Sequence, residues 1–586
     1  MIKLFRFNTF LLFILCVSLF LFCPVPSDAG NEKTVALVMK ALSNPFFSRM
    51  EEGARKYAQE QNIPLEVFGV EKETDVEHQI SIVESLISRG YGAIVIAPAD
   101  SKRLVAVCKK ALEKGIIIIN IDNPLHKPTL NESGTSIPFV GSSNYIGARM
   151  IGSYAKSKLK GNGNVLIIEG IRGVENADLR KTGFSDAVTE NSSIKVVSSE
   201  SANWDTAEAL SLTVKLLKDN DSIDAIFCAN DAMALGALQA IEMLNLSQKI
   251  MIFGYDNIES VRTEIRSGRI QATVEQHPEL MGEYGVALAW EGLNGKKIPL
   301  SKTTPLDLIT YEHFNKKVAL SVSTMSNTFF SILVKGAKEA ANLFGMELIV
   351  LDANNQDAQQ LTDLVKILPQ KVDLLIVNPT NTELVFSGIE LANNNAIPVI
   401  TVDRKSSSGI VLCHIESDNV EGGRMAARIL AQQMNRKGKV LELEGIPGTS
   451  AAYERGEGFN EELKRFEEIE IAYREVANFD RQEAKAVTLR ILSKKKEIDG
   501  VFAHNDAMIL GVIDAFEESG VKLPKALVGF DAIPEAKESI MQHKLTATVG
   551  QKPKRMGKLA VETAARYFRG ENISPVKYVE LSLIKK

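Results

Sequence analysis

Short runs of aliphatic and β-branched residues alternate with longer amphipathic stretches along the chain. The first series reads TVALVM, FFSRMEEGARKYAQEQ, LEVFGV, VEHQISIVESLISRG, AIVIA, RLVAVCKKALEKG and IIIINI. The short runs have the length and composition of buried strands, and the longer ones have helical periodicity. Strands that alternate with helices predict a parallel sheet with helices on both faces. The series restarts at NVLIIEG after VGSSNYIGARMIGSYAKSKL. We therefore expect two α/β lobes, with a chain crossing near residues 141 to 145.

The whole pattern occurs twice. The stretch GFDAIPEAKESIMQHKLTATVGQKP is similar to GYDNIESVRTEIRSGRIQATVEQHP, and VFAHNDAMILGVIDA is similar to IFCANDAMALGALQA, each pair lying 275 residues apart. This spacing far exceeds the repeats of solenoid proteins and indicates a duplicated domain-sized unit. We predict a first module over residues 30–313 and a second module over residues 314–586, each made of two lobes.

The N-terminus has the features of an export signal. Lys3 and Arg6 precede the apolar run FLLFILCVSLFLFC, and the segment PVPSDAG offers small residues before a predicted cut after Ala29. The apolar run, about 14 residues, is shorter than the about 20 that span a bilayer, although an uncleaved anchor is the alternative. The bulky Phe22 argues against lipidation of Cys23. We predict a signal peptide over residues 1–29 and a periplasmic location.

Composition excludes several classes of function. The chain has 586 residues, a formal net charge of −5 and no basic block, so it lacks the electrostatic footprint of a nucleic-acid binder. Beyond the signal it has three cysteines, an odd number without disulfide spacing, and Cys228 and Cys413 lie in apolar runs typical of small buried residues. The seven histidines show no paired spacing with cysteines or carboxylates, so we expect no metal and no cofactor.

Candidate binding residues lie at the carboxyl ends of the predicted strands, where open parallel sheets bind ligands. In the second module ten residues stand there: Asn327, Phe329, Phe330, Asp403, Arg404, Arg455, Phe479, Asn505, Asp531 and Gln551. Arginine donates hydrogen bonds, carboxylates accept them and amides do both, which suits vicinal hydroxyls. The phenylalanines offer flat apolar faces to a ring. This set favours a neutral polyhydroxylated ring over a phosphate, an amino acid or a metal.

The first module repeats most of this set. The matching residues are Asn44, Phe46, Phe47, Asp122, Arg180, Trp204, Asn230, Asp256 and Gln276. Two positions differ, because Asn123 stands where the second module has Arg404, and Lys40 stands where it has Ser323. Losing an arginine removes charge-assisted hydrogen bonds worth about 1.5 to 3 kcal/mol each. We predict that the two pockets differ in ligand preference.

Each of these residues also has a structural interpretation. Asn230 and Asn505, like Asp256 and Asp531, precede helices and could cap them. The phenylalanine pairs could belong to the core, and the arginines could be solvated or paired. A glycosidase would use two carboxylates such as Asp403 and Asp531, but the neighbouring arginines are expected to hold both ionised, which leaves no proton donor. We therefore expect no enzyme activity.

The second module, over residues 316 to 586, resembles the ribose-binding branch of the type I periplasmic sugar-binding family. All ten strand-end residues match ligand positions of that branch. The first module is similar to the same family, and its VMKALSNPFF is closer to the allose-binding relatives. The resemblance implies two Rossmann-like lobes, a three-segment hinge and a monosaccharide enclosed between the lobes. It implies a ribose-like ligand in the second module and a different pentose or hexose in the first.

The resemblance also implies hinge closure and a membrane partner. We expect crossings near residues 141 to 145 and 416 to 420, near Gln276 and Gln551, and around residues 290 and 565. An ABC transporter permease that receives the sugar is the expected partner, and a sensory receptor is the alternative. Repressors of the lactose-repressor type share this core, but they carry a helix-turn-helix segment where this chain has an export signal.

Overall fold

The computed structural model describes residues 32–41, 43–220, 222–246, 249–494 and 497–586. The predicted signal peptide and its cut after Ala29 lie outside the described residues. The chain divides into two compact units, one ending at Tyr311 and one beginning at Glu312. We call them the first module and the second module. Among the described residues, no helix is both long and apolar enough to cross a membrane.

The first module contains twelve strands and ten helices of the described chain. The strands are β1 (Val35–Met39), β2 (Leu65–Gly69), β3 (Ala93–Ile96), β4 (Ile117–Ile121), β5 (Phe139–Gly141), β6 (Asn162–Glu169), β7 (Ser193–Ser201), β8 (Ala225–Cys228), β9 (Met251–Phe253), β10 (Ala272–Glu275), β11 (Ser301–Thr303) and β12 (Asp307–Thr310). The helices are Pro45–Gln61, Val76–Ser88, Leu104–Glu113, Lys127–Glu132, Asn144–Lys158, Glu175–Thr189, Thr206–Asp219, Asp231–Met243, Glu259–Arg266 and Pro278–Leu293.

These strands form two six-stranded sheets. The sheet of the first lobe has the order β11-β5-β4-β3-β1-β2 and is parallel throughout. The sheet of the second lobe has the order β12-β10-β9-β8-β6-β7, and only its edge strand β12 runs antiparallel, to β10. The predicted parallel α/β lobes are confirmed.

The second module repeats this plan. Its strands are β13 (Lys317–Val322), β14 (Glu347–Asp352), β15 (Leu374–Val377), β16 (Val399–Val402), β17 (Cys413–Glu416), β18 (Gly438–Glu444), β19 (Ile469–Val476), β20 (Gly500–Ala503), β21 (Ala526–Asp531), β22 (Ala547–Gly550), β23 (Val576–Tyr578) and β24 (Ser582–Lys585). Its α-helices are Thr328–Phe344, Asp357–Ile367, Phe386–Asn394, Asn419–Gln433, Ser450–Leu463, Arg481–Ser493, Asp506–Ser519, Pro534–Met541 and Pro553–Phe568. A short 3₁₀ turn spans Leu368–Gln370, and another, Tyr311–His313, contains the boundary between the modules.

The sheets of the second module have the orders β14-β13-β15-β16-β17-β23 and β19-β18-β20-β21-β22-β24. They form its first and second lobe, and only β24 is antiparallel. The central strands β3, β8, β15 and β20 are buried along their whole length. Helices cover both faces of such a sheet, which is why these strands read as continuous apolar runs. Cys228 and Cys413 are buried free thiols, as predicted.

Three crossings join the lobes of each module. In the first module the chain leaves β5 at Gly141, returns after β10, and crosses again between β11 and β12, at residues 304–306. The second module crosses at the matching places, the last being residues 579–581. The three-segment hinge is confirmed, but its predicted third crossing around residues 290 and 565 is wrong. Those residues lie inside the helices Pro278–Leu293 and Pro553–Phe568, and the strand after each helix still belongs to the first lobe.

Candidate ligand-binding pockets

A cavity lies between the two lobes of the second module, at the carboxyl ends of its parallel strands. Its volume is about 260 Å³. All ten predicted residues line it, together with one residue that the sequence did not indicate: Asn327, Phe329, Phe330, Asp403, Arg404, Ala451, Arg455, Phe479, Asn505, Asp531 and Gln551. The first lobe supplies the first five of these, so that both lobes enclose the cavity.

The first module has a corresponding cavity of about 250 Å³. Nine of its eleven predicted residues line the cavity, together with two unpredicted ones: Lys40, Asn44, Phe46, Phe47, Glu73, Asp122, Asn176, Arg180, Trp204, Asn230 and Asp256. The predicted residues Asn123 and Gln276 are not among these lining residues. Both are buried and contact residues of the wall.

One arginine from the second lobe is held rigidly in each cavity. In the second module Arg455 donates to Asn419 Oδ1 at 2.9 Å and to the backbone oxygen of His504 at 2.7 Å. Its guanidinium lies 3.6 Å from Asp531 Oδ1 and 4.0 Å from the centroid of the Phe530 ring. These contacts leave the arginine 3% exposed, so it is preorganised and not solvated.

Arg180 makes the same contacts in the first module. It donates to Asn144 Oδ1 at 2.7 Å, to the backbone oxygen of Ala229 at 2.8 Å and to Asp256 Oδ1 at 3.2 Å. The ring of Tyr255 lies 4.0 Å from its guanidinium carbon. The duplication has therefore preserved the arginine together with its entire support.

The phenylalanine pairs belong both to the core and to the cavity wall. Phe46 and Phe47 meet edge to face with ring centroids 5.3 Å apart, and Phe329 and Phe330 do so at 5.2 Å. All four are 3% exposed, and the first pair belongs to a core cluster of the first lobe. The rings are consequently fixed by packing before any ligand arrives.

The predicted helix caps are confirmed for the asparagines. Asn230 Oδ1 accepts from the Met233 amide and Asn505 Oδ1 from the Met508 amide, both at 2.9 Å. Capping fixes each side chain at the cavity wall, so the structural and the binding interpretation are compatible. Their Nδ2 groups donate to the backbone oxygens of Trp204 and Phe479.

The capping interpretation is wrong for the aspartates. The helices that follow Asp256 and Asp531 begin after Ile258 and Ile533 without a side-chain cap. Instead, both aspartates have a backbone φ of 115°, a conformation that L-residues rarely adopt. Such strain costs about 1 to 3 kcal/mol and is concentrated at functional sites. It occurs at the same position of both modules, where it directs a carboxylate toward the cavity arginine.

Burial changes the acidity of the cavity carboxyls. It raises the pKa of Asp531 to about 7, although Arg455 favours the charged form, and it raises the pKa of Asp256 to about 7 against the effect of Arg180. Burial also raises the pKa of Asp403. The expectation that the arginines hold Asp403 and Asp531 ionised leaves out desolvation, which shifts the pKa of both carboxyls upward against the attraction. The availability of a proton does not distinguish a binding protein from a glycosidase here.

The floor of the first cavity carries a charge cluster that the second lacks. Lys40 Nζ lies 3.2 Å from Asp122 Oδ2 and 3.6 Å from Glu73 Oε2. Burial opposes the charge of Lys40, yet these two carboxylates raise its pKa. Glu73 Oε1 also accepts from Asn44 Nδ2 at 3.2 Å. The side chain at the position of Lys40 in the second module is Ser323, which is buried but does not line the cavity.

Gln276 and Asn123 support the first cavity from outside its wall. Gln276 donates to Asp256 Oδ1 at 2.7 Å and accepts from Ser142 Oγ at 2.7 Å. Asn123 donates to the backbone oxygen of Pro98 at 3.0 Å. In the second module Gln551 donates to Asp531 in the same way, but it reaches the cavity.

Three lining residues escaped the sequence analysis. Asn176 and Ala451 stand four positions before Arg180 and Arg455, a spacing that puts them on the same helix face as the arginine. Glu73 follows β2, which pairs with β1 directly beside Lys40. Helical spacing and strand adjacency would have indicated all three.

The first module also contains a histidine close to two carboxylates. The expectation that no histidine is spaced near carboxylates in the sequence is therefore wrong. Glu275, His277 and Glu279 offer ligand atoms within 4.8 Å of one another. Burial opposes protonation, but hydrogen bonds to Asp307 and Glu279 raise the pKa of His277 to about 10. Arg49 bonds both glutamates, at 2.8 and 2.7 Å. Arg49 and His277 offset most of the negative charge of Glu275, Glu279 and Asp307, and their contacts join the two lobes.

The lobes contact each other across each cleft. In the first module the Glu175 amide donates to Ser101 Oγ at 3.2 Å, and in the second the Ser450 amide donates to Thr382 Oγ1 at 3.0 Å. The second module adds an ion pair between Lys405 Nζ and Glu454 Oε1 at 2.6 Å. Both modules are thus in a closed conformation.

Comparison with known proteins gives the same division of the chain. The model of the periplasmic binding protein domain matches residues 35–297 and residues 318–572. The D-ribose/D-allose-binding protein of Pseudomonas aeruginosa is 37% identical over 301 residues, which cover 50% of this chain and 94% of that protein. The ribose import binding protein of Bacillus subtilis is 39% identical over 272 residues, 46% of this chain and 88% of that protein. Each relative corresponds to one module.

Solved structures include similar proteins with sugars bound. An ABC transporter periplasmic solute binding protein from Actinobacillus succinogenes, with bound D-allose, is 35% identical; the match covers 48% of this chain and 98% of that chain with a TM-score of 0.46.

Proposed function

Because the chain belongs to the periplasmic binding protein domain family in both halves, we propose that it binds two monosaccharides, one in each module. The second module takes a ribose-like sugar. The first takes a different pentose or a hexose. The twenty-one predicted site residues, including Asn123 and Gln276 behind the first wall, act as ligand contacts or as their direct supports.

One observation carries this proposal. The second cavity is lined by aromatic rings, two arginines, two aspartates and amides. Neutral sugars need donors and acceptors around the ring edge and apolar faces above and below it, and this wall supplies both. Burial already disfavours the charged forms of Asp403 and Asp531, so an anionic ligand beside them would add a further negative charge to a desolvated site, which is costly.

Binding works by closure of the lobes. Phe329 and Phe330 come from the first lobe, and Arg455 and Asp531 come from the second, so only the closed module surrounds a ligand with all four. A sugar that contacts both lobes therefore favours the closed state, and the population shifts by its differential affinity for that state. The three hinge segments absorb the rotation.

We assign the protein to the periplasm and to sugar uptake through an ABC transporter. The relatives named above are import and periplasmic binding proteins, and the N-terminal sequence has the features of a cleaved export signal. We further propose that it is not an enzyme, uses no cofactor or metal and binds no nucleic acid. Incubation with candidate sugars followed by mass spectrometry tests this, since any turnover would contradict a pure binding role.

The direct test is a thermal-shift screen of the full chain against pentoses, hexoses and polyols. We expect ribose to raise the unfolding midpoint of the second module. Asn505→Ala should remove that shift and leave a shift caused by the ligand of the first module intact. The proposal fails if no neutral monosaccharide raises either midpoint.

A genetic test separates transport from sensing. Cells without this protein should lose uptake of its sugar if the module delivers it to a transporter. Normal uptake combined with loss of a transcriptional or behavioural response to that sugar would instead identify a receptor as the partner.

A further inference from the structure

The two cavities differ in where their lining residues leave polar atoms without a hydrogen-bond partner, and the second lobe of the first module holds two such atoms, on Asn176 and Trp204, whose counterparts Ala451 and Phe479 are apolar. In the second module Arg404 comes from the first lobe. Its Nη1 donates to the backbone oxygen of Pro379 at 3.1 Å. Its Nε has no hydrogen-bond partner among the described residues. The rings of Phe330 and Phe479 lie 5.4 and 5.5 Å from its guanidinium carbon. Opposite it, on the second lobe, Ala451 offers no polar atom.

In the first module Asn123 replaces this arginine, and its side chain is hydrogen-bonded to other residues of the protein. Its Nδ2 donates to the backbone oxygen of Pro98, the position equivalent to Pro379. Its Oδ1 accepts from Ser101 Oγ at 3.3 Å and from the Asn176 amide at 3.4 Å. Both ends of its carboxamide thus bond to the protein, and the side chain does not line the cavity.

In the first module the second lobe supplies polar side chains to the cavity that the second module lacks at the same positions. Asn176 occupies the position of Ala451 and Trp204 that of Phe479, and both line the cavity. Asn176 is 3% and Trp204 7% exposed, yet Asn176 Oδ1 and Trp204 Nε1 have no hydrogen-bond partner among the described residues. A buried polar atom without a partner costs about 1 to 3 kcal/mol. Such atoms are rare in folded proteins, and a buried indole N–H usually finds an acceptor.

Asn176 Oδ1 can accept a hydrogen bond, and Trp204 Nε1 can donate one. A hydroxyl group can do both at once, and both residues line the same cavity, so an additional hydroxyl of a ligand is the group that suits this pair. We propose that Asn176 and Trp204 are specificity-determining residues of the first module and select a hexopyranose over the pentopyranose with the same ring. This inference rests on the proposed sugar-binding function and assigns the extra hydroxymethyl group to the second lobe.

D-Ribose and D-allose form a matched probe pair, because their pyranose rings share every hydroxyl configuration and allose adds only the hydroxymethyl group. The test is calorimetric titration of both sugars into the full chain carrying Arg455→Ala, which silences the second pocket. We expect the first pocket to prefer allose. Asn176→Ala and Trp204→Phe should each weaken allose binding about tenfold and weaken ribose binding by a clearly smaller factor, so that the ratio of the two affinities falls.

Folding of these variants is safeguarded, since alanine and phenylalanine are the residues that the second module itself carries at these positions. The reciprocal double variant Ala451→Asn with Phe479→Trp, made in a chain silenced at Arg180, should gain allose binding in the second pocket. Equal weakening of both sugars, or no change for allose, would overturn the inference while leaving sugar binding established. Failure of the background chain to bind any pentose or hexose would instead overturn the function of the first module.

Discussion

Removal of Arg455 should abolish binding in the second pocket without unfolding the module. This side chain is 3% exposed, donates to Asn419 and to the backbone of His504, and lies 3.6 Å from Asp531. Arg455→Ala removes the donor and also the cation that favours ionised Asp531. Because burial already raises the pKa of Asp531 to about 7, loss of the cation will raise it further and leave the carboxyl protonated at neutral pH.

The expected magnitude follows from these contacts. A charge-assisted hydrogen bond contributes about 1.5 to 3 kcal/mol, and the variant loses one from the arginine and weakens one from the aspartate. The sum, at least about 3 kcal/mol, corresponds to more than about 100-fold in affinity. Protonation of Asp531 avoids an uncompensated buried charge, but loss of the hydrogen bonds from Arg455 to Asn419 and His504 should still lower the unfolding midpoint of the second module.

Titration calorimetry of the full chain with ribose measures the affinity, and circular dichroism confirms that the variant is folded at the assay temperature. Arg490→Ala is the matched control, because Arg490 lies in the same lobe, is exposed and pairs with Glu475 on the surface. It should bind ribose normally. Ribose affinity within about threefold of the unmodified chain in Arg455→Ala would refute this account of the pocket.

Three further predictions concern acidity, closure and selectivity. The pKa of Asp531 in the folded state, about 7, exceeds its unfolded value. The free energy of unfolding should therefore fall by at most about 4 kcal/mol as pH rises from about 4 to 7. In urea titrations Asp531→Asn should lack this pH-dependent contribution. Glu454→Gln breaks the ion pair between the lobes with partly exposed Lys405 and should weaken ribose binding about two- to fivefold in calorimetry. High salt screens this pair, so it should remove the difference between the variant and the unmodified chain. Asn123→Arg alone should weaken sugar binding in the first pocket, as measured by calorimetry. The double variant Asn123→Arg with Asn176→Ala should instead raise the affinity of the first pocket for ribose relative to allose.

Much of the second cavity was predictable from sequence because its residues occupy positions defined by topology. Parallel strands place their carboxyl ends at one edge of a sheet, and duplication marks the same positions twice, so all ten residues were placed correctly at the wall. The same logic identified the asparagine caps and the lobes.

Side-chain length and desolvation could not be obtained in this way. Asn123 follows its strand as Arg404 does, but it is too short to reach the cavity and bonds to the backbone instead. The acidity of Asp531 depends on burial, which outweighs a neighbouring arginine only in the packed structure. The third hinge segment was misplaced because the last strand of the first lobe follows a long helix, and its sheet is determined by pairing partners far away in sequence.

The central claim is that one chain holds two separate monosaccharide pockets. Calorimetric titration of the unmodified chain with ribose and allose, alone and in competition, tests it most directly. The account predicts two binding sites per chain, one of them lost in Arg455→Ala and the other lost in Arg180→Ala. A single site that persists in both variants, or no binding of either sugar, would contradict it.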